Sequence, residues 1–179
     1  IGNPIAHSLS PKLHNYWIKK NNIDAVYDKK QLNESDIEEI ITEVKNGKID
    51  GINVTVPFKK LVIPFLDKLT PLAKETHSVN TIYKEKGHGV DVVIGSNTDV
   101  GGFKQSLEYI NYNVKNKKVF ILGAGGVVPS ILKALEKLEV AKVYISNRTK
   151  EKAKDLESYY KISLGLETLD WGQSPDFDI

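Results

Sequence analysis

A run of strictly alternating strand and helix patterns, from Lys118 to Tyr160, constrains this chain more than any other feature. Lys118–Leu122 (KVFIL) reads as a short apolar strand and Gly123-Ala124-Gly125-Gly126 as a tight loop. A helix is expected over Val127–Leu138, a second strand over Lys142–Ser146 and a second helix over Thr149–Tyr160. Strands separated by helices of this length pair in parallel within one sheet, with crossovers of one hand. The expectation is a doubly wound α/β unit.

The loop opens a helix directly after a buried strand. Its glycines permit a tight turn and let a pyrophosphate approach the backbone N–H groups, where the helix end adds partial positive charge. The third glycine of a G-x-G-x-x-G pattern is replaced by Val128. On the glycines alone, a phosphate loop and a plain strand-to-helix turn stay equally open. The end of the next strand decides between them. An NAD site places Asp or Glu there to bond the ribose 2′-hydroxyl, whereas this chain has Asn147-Arg148-Thr149, with Lys152 one turn on. A guanidinium pairs with a 2′-phosphate that a carboxylate would repel. Thr149 has an ordinary role as a helix cap and Lys152 as a solvated charge; Arg148 is harder to explain away. The residues expected to hold NADP(H) are therefore Gly123, Ala124, Gly125, Gly126, Val127, Asn147, Arg148, Thr149 and Lys152.

Composition narrows the class of partner. The net charge of +2, from 25 basic and 23 acidic side chains, gives no basic face for nucleic acid. There is no cysteine, so disulfides and thiolate metal sites are excluded, and His7, His14, His77 and His88 lack zinc spacing. No apolar run reaches the ~20 residues of a membrane span. A small-molecule protein in the cytoplasm, as monomer or homodimer and without a metal, is the expectation. The opening Ile1-Gly2-Asn3-Pro4 and the closing Pro175–Ile179 both read as parts of strands, which predicts a piece of a longer protein.

The first half is less regular. Ser10 is expected to cap a helix with Pro11 at its first position, and Leu13, Trp17 and Ile18 to form its buried stripe. Ala25–Gln31 reads as a strand. Ser35-Asp36-Ile37-Glu38 reads as a capping box before Ile37, Ile40, Ile41 and Val44 at helical spacing, with Gly47 ending that helix. Gly51–Val56 is a β-branched strand closed by Pro57. A helical stretch interrupted by Pro64 and a short helix capped by Thr70-Pro71 follow. Val79–Glu85 and Val90–Gly95 are expected strands joined by the Lys86-Gly87-His88-Gly89 turn, and a helix runs from about Asp99 to Tyr112. The organisation changes near residues 99–115. This predicts two domains: an N-terminal α/β substrate domain, 1–100, and a Rossmann-like nucleotide-binding domain, 101–179, of which only part is present.

Several polar residues of the first half stand where a core would not want them: Ser8 and Ser10 around Leu9, Thr55 in an apolar strand, Lys59 past its end, Asn80 in another strand, and Asp99 at a helix start. Singly, each has an ordinary explanation as a cap, a strand former or a solvated charge. Together they match a family. Gly2-Asn3-Pro4-Ile5-Ala6-His7-Ser8-Leu9-Ser10-Pro11, Asn53-Val54-Thr55-Val56-Pro57-Phe58-Lys59, Val79-Asn80-Thr81, Asn97-Thr98-Asp99, the glycine loop and Asn147-Arg148-Thr149 resemble shikimate dehydrogenase in order and spacing.

That resemblance implies NADPH-dependent reduction of 3-dehydroshikimate to shikimate, on the way to chorismate and the aromatic amino acids. By matching position, Ser8 and Ser10 would hold the substrate carboxylate. Thr55, Asn80 and Asp99 would bond the ring hydroxyls, and Lys59 with Asp99 would form the catalytic pair. The chain departs from the family at Ser96, at Val127-Val128-Pro129 after the glycines, and in lacking the C-terminal part with its substrate-contacting Gln. Three other readings compete. A quinate/shikimate dehydrogenase of broader cofactor use would favour an acid where Asn147-Arg148 stands. The nucleotide half alone also resembles glutamyl-tRNA reductase, which has no place for the Ser8, Ser10 and Lys59 blocks. A non-catalytic metabolite-binding regulator would have lost Lys59 or Asp99.

Overall fold

The computed structural model describes residues 1–86 and 91–179. The chain divides into two compact units, one of Ile1–Thr70 with Val79–Ser96 and the other of Pro71–Ser78 with Asn97–Ile179.

The first unit is a mixed four-stranded sheet. Its strands are β1 (Gly51–Asn53), β2 (Lys68–Leu69), β3 (Thr81–Glu85) and β4 (Val92–Ser96), in the order β1-β3-β4-β2. β3 is antiparallel to both its neighbours, and β2 runs parallel to β4. Helix α2 (Ile37–Lys45) packs on β3 and β4. Its Ile37, Ile40, Ile41 and Val44 are all buried, as their spacing predicts. Each such side chain contributes roughly 1.5–3 kcal/mol by leaving water. Gly47 follows the helix with φ +74, a left-handed conformation that suits glycine. The turn expected at Lys86-Gly87-His88-Gly89, and Val90, fall on or border residues 87–90, outside the described residues.

Elsewhere the first unit departs from the sequence reading. Helix α1 (Ser10–Lys20) starts at Ser10 with Leu9 as its cap, so Ser10 is a helical residue; the Ser8 hydroxyl accepts from its N–H at 3.3 Å. α1 buries none of its residues: Leu13 and Trp17 are each nearly half exposed, and Ile18 is half-buried. Ala25–Gln31 is not a strand: among the described residues its one β-bridge joins Gln31 to Gly2. Side chains take the place of a ladder there. The Asn15 amide accepts from Tyr27 N–H at 2.9 Å and donates to Tyr27 O at 2.7 Å, while the His14 ring stacks on the Tyr27 ring. A polar segment held in this way offers α1 no apolar layer, which is why the expected stripe stays uncovered. The capping box forms two residues early: Asn33 N–H donates to the Asp36 carboxylate at 2.7 Å, opening a 3-10 turn (Glu34–Asp36) before α2. Pro64 sits in another 3-10 turn, Ile63–Phe65, and not in an interrupted helix.

The second unit carries the parallel sheet: β5 (Lys118–Leu122), β6 (Lys142–Ser146) and β7 (Glu167–Leu169), side by side in that order. β5 and β6 have the boundaries expected from sequence. Helices α4 (Asp99–Tyr109), α5 (Val128–Lys137) and α6 (Lys150–Leu164) complete it, with the short α3 (Pro71–Thr76) packed against α5. Val119, Val143 and Ile145 from the sheet meet Leu132, Leu135, Ala153, Leu164 and Leu166 in one core. Beyond β5, Asp178 N–H donates to Lys118 O and Phe120 N–H to Ile179 O, so residues 178–179 line the other edge of that strand.

Candidate active site

In the second unit, β5, β6 and β7 end at Leu122, Ser146 and Leu169, so the segments that follow lie at the carboxyl edge of a parallel sheet. Open α/β sheets bind ligands there. Gly123 N–H donates to Ser146 O at 2.8 Å, which ties the glycine loop to the neighbouring strand. The turn gives Gly123 a φ of +112, which a side chain would strain. Val128 N–H donates to Gly125 O at 3.0 Å and closes the turn into α5. Pro129 stands in the first helical turn, where its missing N–H costs little. A Cβ at Gly125 would meet nothing within 4 Å, so the space before the loop is open. Gly125, Gly126 and Val127 are exposed, and among the described residues their N–H groups have no backbone acceptor. Donors of this kind at a helix start are suited to an anion.

Asn147 joins this loop to the next. Its Oδ1 accepts from Ala124 N–H at 3.1 Å, and its Nδ2 donates to Thr149 O at 2.7 Å. Arg148, between these two anchors, is exposed. Thr149 occupies the cap position of α6 without a side-chain capping bond, and Lys152 is exposed one turn on. Asp170, just past β7, is ion-paired with Lys150. That pairing offsets a negative charge on an edge suited to phosphate. Loop, guanidinium and ammonium groups together can bind a phosphorylated nucleotide, and the residues present fit the cofactor expected from sequence.

In the first unit the candidate residues gather around β1 and β3. Thr55 N–H donates to Ile1 O at 3.0 Å, so the strip after β1 lies against the N-terminal segment. The approach is close enough that a Cβ on Gly2 would come within 2.6 Å of Thr55 Cγ2, and a larger residue there would push Thr55 aside. Lys59 is half-buried, and its carbonyl accepts from Val79 N–H at 2.8 Å, beside Asn80. Asn80 continues the ladder, donating to Ser96 O at 3.0 Å and accepting from Val54 N–H at 2.8 Å. Its Oδ1 accepts from the Thr81 hydroxyl at 3.1 Å. Ser8 and Ser10 are both half-buried and adjacent at the start of α1.

Asp99 belongs to the second unit, as the first residue of α4. A carboxylate there is favoured by the helix N-terminus. The residue before Thr98 holds that helix in place. Asn97 is 4% exposed; its Oδ1 accepts from Val100 N–H at 3.3 Å, and its Nδ2 lies 2.9 Å from Ser130 Oγ, 2.9 Å from Ser78 O and 3.1 Å from Thr76 Oγ1. Asn97 and the fully buried Ser130 were given no role from sequence. The available signal was a serine inside the apolar stripe of α5. Tyr27 and Asn53 were missed too: the Tyr27 hydroxyl donates to Asn53 Oδ1 at 2.8 Å. Burial pushes the Tyr27 pKa up, against a side-chain hydrogen bond from Ser10.

Among the described residues no group of His, Asp and Glu could hold a metal ion, and no helix is long and apolar enough to cross a membrane. Two family models match the chain: the shikimate dehydrogenase substrate binding domain over residues 1–82, and shikimate/quinate 5-dehydrogenase over residues 105–170. An NADP(+) shikimate dehydrogenase of Pelagibacter ubique is 54% identical over 179 residues, which is 100% of this chain and 65% of that protein. The crystal structure of shikimate dehydrogenase from Aquifex aeolicus superposes with a TM-score of 0.83 at 40% identity, over 94% of this chain and 60% of that one. A shikimate 5-dehydrogenase of Thermus thermophilus, solved in complex with NADP(H) and shikimate, gives 0.79 at 28% identity, over 94% and 60%. The chain thus spans just under two thirds of the length of the relative it most resembles among these. From the two domain models and the identity along its whole length, the chain belongs to the shikimate dehydrogenase family.

Proposed function

We propose that the full-length protein reduces 3-dehydroshikimate to shikimate with NADPH, reversibly. The observation that carries this reading is the 54% identity, over all 179 residues, to an NADP(+) shikimate dehydrogenase. The glycine loop and the exposed Arg148 support the cofactor half of it. On this reading residues 1–100 hold the substrate and residues 101–179 the cofactor. The protein works in the cytoplasm on small molecules, as a monomer or homodimer.

When bound, NADPH supplies a hydride to the substrate's carbonyl carbon. Gly125, Gly126 and Val127 hold the pyrophosphate through their N–H groups, and Arg148, with Lys152 near, pairs with the 2′-phosphate. Ser8 and Ser10 grip the substrate carboxylate through their hydroxyls, while Thr55, Asn80 and Asp99 bond the ring hydroxyls. As negative charge grows on the carbonyl oxygen, the Lys59 ammonium donates a proton to it. On this reading Asp99 is the second member of the catalytic pair with Lys59. In the oxidative direction a neutral Lys59 accepts the alcohol proton.

The test is an assay of the full-length protein for shikimate oxidation with NADP⁺, alongside NAD⁺ and quinate. Turnover of shikimate with NADP⁺ is expected. Activity with NAD⁺ alone would overturn the cofactor assignment, and oxidation of quinate alone the substrate assignment.

A further inference from the structure

The segment after β7 presents a side chain that the mechanism above leaves unused. Trp171 is 59% exposed, so a large aromatic ring stands in water at the ligand-binding edge of the sheet. Its turn is well anchored. Gln173 N–H donates to Asp170 O at 3.1 Å, and Gln173 Oε1 accepts from Asp170 N–H at 2.9 Å. The Ser146 hydroxyl donates to Asp170 O at 3.2 Å, and Lys150 pairs with the Asp170 carboxylate. Two residues of the β6 end and the α6 start thus hold the residue next to Trp171. β6 and β7 pair in the register Tyr144 with Glu167, Ile145 with Thr168 and Ser146 with Leu169. Ser146 and Lys150, which flank Arg148 in sequence, both contact Asp170, so the loops that carry Arg148 and Trp171 are tied together just beyond the strand ends.

The order along this edge follows the order of groups in the cofactor. The pyrophosphate belongs to the loop after β5, and the 2′-phosphorylated ribose to Arg148 after β6. The base hangs from that ribose, and the next loop outward is the one after β7. We infer that Trp171 is the platform on which the adenine ring of the cofactor stacks. This rests on the NADP reading above. The flat ring supplies stacking area without base-specific hydrogen bonds, so it adds affinity for the adenosine end and leaves the choice of NADP to Arg148.

The probe is 2′,5′-ADP, which carries the adenine, ribose and 2′-phosphate but no nicotinamide. Full-length protein with Trp17→Phe leaves Trp171 as the one tryptophan of this 179-residue sequence, and its emission should change on titration with 2′,5′-ADP. Trp171→Ala should weaken 2′,5′-ADP and raise the NADP⁺ KM about tenfold. Trp171→Phe should restore most of the loss, and the shikimate KM and the Tm should stay unchanged. Binding of 2′,5′-ADP with the same affinity in Trp171→Ala would overturn the stacking role and leave the NADP reading intact. A wild-type protein that does not bind 2′,5′-ADP would overturn both.

Discussion

The two units place their candidate chemistry on different parts of the chain. In the first, it is carried by side chains (Ser8, Ser10, Thr55, Lys59 and Asn80) around short strands and an uncovered helix. In the second, it rests mainly on backbone geometry: the glycine loop, its exposed residues 125–127 and the Asn147 tie, with Arg148 as the added charge. A site made of partly exposed side chains can lose one with little damage to the fold, whereas a site made of backbone depends on the packing that shapes it. Lys59→Ala tests the first half of that contrast and has the largest expected effect. On the proposed function, kcat of the full-length protein should fall by about 10²–10⁴, the range for a general acid, with the urea midpoint unchanged. Near-normal turnover would remove Lys59 from the mechanism, and a matching loss of stability would erase the contrast.

What was legible from sequence follows local patterning in either unit. β5, β6 and α2 could be read from periodicity because each buries a regular apolar face against a neighbour. α1 shows such a face at Leu13 and Trp17, but the segment beside it is held through the Asn15 and His14 side chains, and no local pattern reports that. β2 and β7, two and three residues long, are too short to show a period. In the site, Arg148 was legible because a charge past a strand has few other uses. Asn97 was not, because the partners of its Nδ2 lie 19 to 33 residues away. Leu132, fully buried in α5, and Leu13, 48% exposed in α1, make the comparison quantitative. Leu132→Ala should cost about 2–5 kcal/mol in urea unfolding, and Leu13→Ala no more than about 0.5 kcal/mol. Equal losses would mean that α1 is covered in the folded protein.

Asn97→Ala probes a buried polar side chain in the second unit. It strips the donor from Ser130 Oγ, Ser78 O and Thr76 Oγ1 and frees Val100 N–H at the start of α4. Unfolding should become easier by about 1–3 kcal/mol. Because α4 begins at Asp99, kcat for shikimate should fall as well, with the NADP⁺ KM little changed. A variant as stable as wild type would show that the cluster is replaceable by packing.

A smaller effect than at Asn97 is expected at Tyr160, on the inner face of α6. Its ring is 8% exposed, and its hydroxyl donates to Pro129 O at 3.2 Å, in the first turn of the helix that follows the glycine loop. Burial is the main cause of a raised Tyr160 pKa, partly opposed by the positive charge of Lys133. The folded protein therefore holds the phenol proton more tightly than the unfolded chain does. That contribution is complete below the ordinary tyrosine pKa of about 10 and is lost as pH rises through the higher folded value. Tyr160→Phe should lower stability by about 1 kcal/mol at neutral pH, the value of one hydrogen bond. It should also flatten the fall in stability above pH 10. Urea midpoints from pH 7 to 11 measure both effects. The first unit supplies the control, since burial raises the Tyr27 pKa as well. If Tyr160→Phe leaves the alkaline limb as steep as in wild type while Tyr27→Phe flattens it, alkaline unfolding begins in the side-chain-built unit, and the backbone-built unit is the more resistant of the two.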